Sequence, residues 1–246
     1  MSERAWMLCV DASAPRTCVA LGWIEGQRDE LVVIDEREDP GSQTSARLHL
    51  RLAAALAEAG IAGRDLSMIA GGRGPGTFTG SRVAVATVKG LALGLGVAIV
   101  PVSTLASLAA SSELDGPTLA LLDARRGQVY GASYSVGPRI EPCSAERVTE
   151  LATLLAELDQ REDFDRLRAI GPGCQPYAEQ LPESLAARAT TIPGPSARGL
   201  WRAALSAQRA GEAVDPDQFA VSYLRQSYAE MGINTPKRPM YKSPFV

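Results

Sequence analysis

Short apolar runs alternate with glycine-bearing breaks along the chain, and the spacing within each run separates strands from helices. Ala5-Trp6-Met7-Leu8-Cys9-Val10 predicts a strand ending at Asp11. Thr17 to Trp23 predicts a second after a turn over 12–16, and Leu31-Val32-Val33-Ile34 a third beyond the Glu25-Gly26 turn. Residues 35–45 are polar, contain Pro40-Gly41 and predict a loop. Ser42, Thr44 and Ser45 are candidate N-caps for a helix that runs to about Ala59 and stops at Gly60. Leu48, Leu52, Ala55, Leu56 and Ala59 form one face of that helix, while Ala46, Leu50, Ala53 and Ala57 form a second. Arg47, Arg51 and Glu58 leave a narrow polar stripe. A surface helix that buries one face is not apolar on two. This helix therefore either sits deep in the core or contributes to a contact with another chain, and contact is the preferred reading.

The next stretch carries the densest pattern. Met68-Ile69-Ala70 predicts the end of a buried strand, followed by the turn Gly71-Gly72-Arg73-Gly74-Pro75-Gly76. Thr77 or Thr79 supplies an N-cap, and residues from Gly80 to about Gly94 predict one helix. Within it Ala86, Gly90 and Gly94 recur every fourth residue and make a stripe almost without side chains. Such a stripe admits another backbone closely, at about 1 kcal/mol of helix propensity per Gly relative to Ala. Val97-Ala98-Ile99-Val100 predicts the following strand, stopped by Pro101.

The second half repeats the opening. Ser103 to Ser112 predicts a helix capped by Ser103 or Thr104, and Asp115-Gly116-Pro117 a turn. Leu119 to Leu122 predicts a strand ending at Asp123, and Gln128 to Tyr134 its return. Strand, Asp-containing turn, strand is the pattern of residues 8–21, as expected of two lobes on one plan. Ser144 to Leu158 predicts an amphipathic helix, Leu167 to Ile170 a strand, Gly171-Pro172-Gly173 a turn and Ala197 to Ala210 a helix. Asp215-Pro216 predicts a linker, and Asn234 to Val246, with three prolines and three basic residues, a mobile tail.

Composition narrows the chemistry. The 246 residues are 46% hydrophobic and 22% charged, enough for two modest lobes, with a net charge of −3. That balance argues against a stand-alone nucleic-acid binder. No apolar run approaches the ~20 residues of a membrane span, and the N-terminus does not read as a signal peptide, so a cytoplasmic protein without membrane partners is expected. Four cysteines show no CxxC spacing. His49 is the only histidine, which removes HExxH, His-x-x-x-His and most histidine triads, and it reads as a helix-surface residue. No metal ligand set and no catalytic residue is assigned.

The glycine turn before a helix suits an anion, since free N–H groups and the helix dipole gather there. Gly74, Gly76, Thr77, Thr79, Gly80 and Arg82 are the candidates, although GxGxxG needs other spacing and a P-loop needs Gly-Lys-Ser/Thr. A phosphate cradle and a purely structural tight turn both fit these residues.

Gly74-Pro75-Gly76-Thr77-Phe78-Thr79-Gly80, Arg82, Ala86-Thr87-Val88-Lys89-Gly90-Leu91-Ala92 and Pro101-Val102-Ser103-Thr104-Leu105 together resemble the TsaB (YeaZ) family. The likeness is close over residues 66–108, recognisable over 8–21 and 121–130, and thin elsewhere; Tyr223-Leu224-Arg225 resembles the family's end. The family belongs to bacterial synthesis of threonylcarbamoyladenosine on tRNA. The resemblance implies an α/β, two-lobed fold of the actin, Hsp70 and sugar-kinase (ASKHA) superfamily, each lobe a mixed sheet with flanking helices. It implies a first lobe over 1–102, a degenerate second lobe over 103–232 and a tail over 233–246, with the C-terminal helix free to pack back on the first lobe. In such folds an acidic residue of the first hairpin lies beside nucleotide phosphates; Asp11 matches it, and equally suits a turn cap. Bulky Arg125 and Arg126 occupy the second turn where kinases carry Gly and Thr. The resemblance implies a non-catalytic scaffold that forms a homodimer and joins a TsaD-like catalytic subunit and a TsaE-like ATPase, meeting tRNA only through the complex. It implies no tightly bound cofactor, with ATP or ADP held weakly or at a partner interface. Leu50, Ala53, Ala57, Ala86, Gly90 and Gly94 are the expected interface. An ASKHA-type ATPase or kinase, an M22-like peptidase homologue acting alone, and a homodimeric regulator unrelated to tRNA are the alternatives.

Overall fold

The computed structural model describes residues 4–38 and 44–225. The N-cap expectation at Ser42 and the tail over 233–246 lie outside the described residues.

Three strands open the chain as a meander: β1 (Ala5–Asp11), β2 (Arg16–Glu25) and β3 (Arg28–Glu38). Helix α1 (Thr44–Glu58), strand β4 (Leu66–Gly72), helix α2 (Phe78–Leu95) and strand β5 (Ala98–Val102) follow. The sheet has the order β3-β2-β1-β4-β5, with β1, β4 and β5 mutually parallel. Gly60 after α1 and Gly96 after α2 take positive φ, as helix-ending residues do. Pro101, expected to stop the strand, lies inside β5 opposite Gly71. The strand lies at the end of the sheet order, where a missing N–H is tolerated. β3 likewise runs on to Glu38, because polar residues 35–38 still pair with residues 16–19 of β2.

Helix α3 (Thr104–Ala110) leads to the second sheet. Its strands are β6 (Gly116–Arg125), β7 (Gln128–Val136), β8 (Ile140–Pro142), β9 (Arg147–Glu150), β10 (Arg168–Ile170) and β11 (Ala189–Thr190). Helices α4 (Leu151–Leu158) and α5 (Glu183–Ala186) lie between them, and α6 (Ala197–Arg209) closes the series. The order β11-β10-β6-β7-β8 repeats the first sheet's plan, with β6 in the place of β1. Both hairpins turn the same way: Asp11 Oδ1 accepts from Ser13 N at 2.8 Å, and Asp123 Oδ1 accepts from Arg125 N at 2.7 Å. The repeated sheet is the two-lobed α/β plan that the ASKHA resemblance implies.

One expectation fails here. Residues 144–158 do not form a single helix: Arg147–Glu150 is β9, paired with β7, and only Leu151–Leu158 is helical. The β-branched pair Val148-Thr149 favours the ladder, and four buried leucines at 151, 154, 155 and 158 suffice to seat the shortened helix.

The layers stack so that α3 and α6 lie between the two sheets. Leu200, Trp201 and Ala204 of α6 pack on Met7, Cys9, Ala20 and Val100 of the first sheet's inner face. Leu105 and Leu108 of α3 pack on Ala120, Leu122 and Ala132 of the second. On the outer face of the first sheet, α1 and α2 bury Leu48, Leu52, Val85, Val88 and Ala92 against Leu8, Val10 and Ile69. Helix α6 thus packs on the first sheet's inner face.

Candidate functional site

The two groups of sequence candidates fall in different places. The glycine turn and Asp11 sit beneath the surface at one end of β1; the small-residue row lies on the open side of α1 and α2.

At the turn, local chemistry explains each glycine. Gly74 takes φ +91, a backbone that side chains oppose, and its carbonyl accepts from Thr104 N at 2.9 Å. A Cβ on Gly76 would run into the Ser13 carbonyl oxygen, and one on Gly80 into that of Ala12. The two glycines therefore let the β1–β2 hairpin lie directly on the N-terminal turn of α2. Thr77 is the N-cap, its Oγ1 accepting from Gly80 N at 3.2 Å while its own N–H donates to Ser13 O at 2.7 Å. Thr79 is exposed on the first turn of the helix.

Asp11 is buried, with Ser13 N on one oxygen and Thr104 Oγ1 on the other at 2.8 Å each. Burial pushes its carboxyl above the usual range, against the lowering effect of those hydrogen bonds. Ser13 Oγ, also buried, has no hydrogen-bond partner among the described residues. The Ala12 and Ser13 carbonyls lie against Gly80 and Gly76, so these two glycines serve the close packing of hairpin on helix. Arg82 does not join the group. Its guanidinium stacks 3.6 Å from the Phe78 ring centre, and its Nε donates to Tyr223 Oη at 2.8 Å.

Thr104 and Ser13 escaped sequence reasoning, since only the fold brings a helix start and a hairpin turn to Asp11. So did the segment over 219–225. Phe219 is buried against Gly71 and Val88, and Ser222 N donates to Arg73 O at 2.8 Å. Arg225 then reaches the second hairpin, donating to Ala124 O at 2.8 Å and Gln128 Oε1 at 2.5 Å. The segment joins both lobes. The Tyr-Leu-Arg likeness marked its position without indicating this role.

The helical candidates are all at the surface. Leu50 is 61% exposed, and Ala53, Ala57, Ala86, Gly90 and Gly94 are exposed with it. A Cβ placed on Gly90 or Gly94 would meet nothing within 4 Å among the described residues, so neither glycine is required by a close contact among them. Helix α1 is not deep in the core on both sides: Leu48, Leu52 and Ala55 are buried, while Leu50, Ala53 and Ala57 are exposed. Leu93 and Phe78, each 56% exposed, extend the apolar surface along α2.

Two surface clefts flank Arg202, and neither is lined by Asp11 or the glycine turn. Among the described residues, no group of three or more His, Cys, Asp or Glu could hold a metal ion, and no helix is long and apolar enough to cross a membrane.

The family model TsaD: tRNA N6-adenosine threonylcarbamoyltransferase matches residues 41–191, well over half of the chain. The chain belongs to this family. Within it the likeness is to the TsaB (YeaZ) branch. YeaZ from Pseudomonas aeruginosa superposes with a TM-score of 0.77 at 28% identity, over 89% of this chain and 100% of that one. The tRNA threonylcarbamoyladenosine biosynthesis protein TsaB of Escherichia coli is 34% identical over 52% of this chain and 54% of its own length. An uncharacterized protein of Mycobacterium tuberculosis is 35% identical over 54% of this chain. That alignment spans 61% of the mycobacterial protein. The TsaB-like fold thus extends through both lobes, while sequence identity is concentrated in part of it.

Proposed function

We propose that the chain is a non-catalytic subunit of the assembly that makes threonylcarbamoyladenosine on tRNA, acting by holding a TsaD-like catalytic subunit in its active arrangement. The observation that carries this reading is the open face of α1 and α2, where Gly90 and Gly94 give up helix propensity although no close contact among the described residues requires a glycine there. Family membership and the biosynthetic name of the E. coli relative supply the process. The face is used by a second copy when the chain is alone and by the TsaD-like subunit in the assembly. A TsaE-like ATPase joins that assembly, and tRNA is met through it. No cofactor is held tightly, and any ATP or ADP binds weakly or at a subunit boundary, since both oxygens of Asp11 are engaged with the chain's own groups.

An enzyme acting alone would need an open site with groups poised for chemistry. Asp11, the residue nearest to that role, has both oxygens engaged with the chain's own groups. Co-purification with the TsaD-like subunit of the same organism tests the reading. Leu50→Glu should abolish the complex, because docking would bury a carboxylate without a partner. A complex that forms normally with Leu50→Glu would refute the assigned face.

A further inference from the structure

The hairpin between β6 and β7 turns on residues that resist the turn. Arg125 and Arg126 take φ +65 and +58, the two positive values held by non-glycine residues among the described residues, and Gly127 follows at +74. A side chain opposes that left-handed backbone, which glycine enters freely. The first hairpin, over residues 12–15, contains no such residue. In the second ladder Asp123 faces Val129 and Arg125 faces Gln128, so Ala124 has no partner on β7. Ala124 is buried, and its carbonyl is left to find a donor outside the ladder.

Three side chains hold this turn. Asp123 Oδ1 accepts from Arg125 N at 2.7 Å, and Tyr177 Oη donates to Gln128 O at 2.9 Å. Arg225 donates to Ala124 O at 2.8 Å and to Gln128 Oε1 at 2.5 Å. Asp123 and Tyr177 belong to the second lobe. Arg225 instead ends a segment seated on the first. There Phe219 is buried against Gly71 and Val88, Ser222 N donates to Arg73 O at 2.8 Å, and Tyr223 Oη accepts from Arg82 Nε at 2.8 Å.

We propose that Arg225 is a latch, a positioning residue that keeps the 123–128 turn left-handed only while the 219–225 segment is seated on the first lobe. When the guanidinium withdraws, the Ala124 carbonyl loses its donor and the hold from the first lobe is gone. Arg125 and Arg126 then return to ordinary backbone, and their exposed side chains leave the lobe in a new direction. A strained backbone released by one contact between lobes is a two-position element. The tip of the second lobe thus displays the state of the contacts around Arg73 and Arg82 on the first.

Amide exchange on the full chain, read by mass spectrometry over residues 124–128, tests the latch in two backgrounds. Arg225→Met keeps the stem and removes the donors, and in the otherwise unaltered chain it should accelerate exchange there by about tenfold or more. With Arg125→Gly and Arg126→Gly together, the turn takes its left-handed form without steric opposition, and adding Arg225→Met should change exchange little. Acceleration of equal size in both backgrounds would mean that Arg225 only adds a hydrogen bond, and would overturn the latch. No acceleration in the first background would overturn it as well. Exchange over α2 and β4, followed in the same spectra, should stay as it is. A rise there equal to that at the turn would mean general loosening and would also contradict the proposal.

Discussion

Asp11 Oδ2 accepts a hydrogen bond from Thr104 Oγ1 at 2.8 Å, tying the first hairpin to the first residue of α3. The other oxygen holds Ser13 N, so the carboxylate is spent on joining elements far apart in sequence. Its role is therefore best tested through stability. Burial holds the folded pKa above the unfolded one, so the native state binds the extra proton. The contribution of this group is fully present at low pH and declines as pH rises through the interval between the two values. Asp11→Asn removes that decline while keeping an acceptor for Ser13 N. Urea titration should find the Asn variant gaining on the native chain as pH rises above the ordinary carboxylate range; a constant difference would contradict the assignment.

Gly80→Ala directs its new methyl at the Ala12 carbonyl, which belongs to backbone and cannot swing aside. The expected loss is about 1–3 kcal/mol, toward the upper end. Denaturant midpoints measure it, and a neutral result would mean that the hairpin and α2 can separate freely.

Gly90→Leu should behave in the opposite way. Nothing lies within 4 Å of its Cβ position, and replacing a helical Gly gains up to about 1 kcal/mol of propensity. The variant should melt at or above the temperature of the native chain and yet run as a monomer in size-exclusion chromatography with light scattering. A dimer of native affinity would place the interface elsewhere.

Phe219→Ala removes the buried anchor of the segment that joins the lobes, at about 3–5 kcal/mol by the usual cost of such truncations. Loosening should reach Tyr223 and Arg225. Amide exchange should accelerate over residues 220–225 and over the 124–128 turn, whereas an effect confined to α2 would mean that the segment does not couple the lobes.

Much of this arrangement was legible in the chain itself. Apolar runs and glycine breaks placed β1, β2, α1, α2 and α6 to within a few residues, because each buries a face wide enough to set a period. The repeat of an Asp-containing turn foretold two sheets of one plan. What stayed hidden depended on distant partners. Val148 and Thr149 read as part of a helix until β7 offers them a ladder. Ile140–Pro142 and Ala189–Thr190 are too short to carry a period at all. The glycine turn was open to two meanings, and nothing in the sequence signals that the Ala12 and Ser13 carbonyls lie against Gly80 and Gly76. The two apolar faces of α1 were visible in its spacing. Which face is open became clear only with the sheet beneath it.

The central claim is that this chain acts through its surface and supplies no reacting group. The most direct measurement is threonylcarbamoyl transfer to tRNA in a reconstituted system, with assembly followed in the same samples. Asp11→Ala, Asp123→Ala and His49→Ala should each assemble and retain substantial transfer, whereas Leu50→Glu and Gly90→Leu should lose transfer together with assembly. A catalytic group would show the reverse pattern, with normal assembly and a rate lower by ~100-fold or more. If any of the three polar variants gives that result, the chain takes part in the chemistry and the scaffold account is wrong.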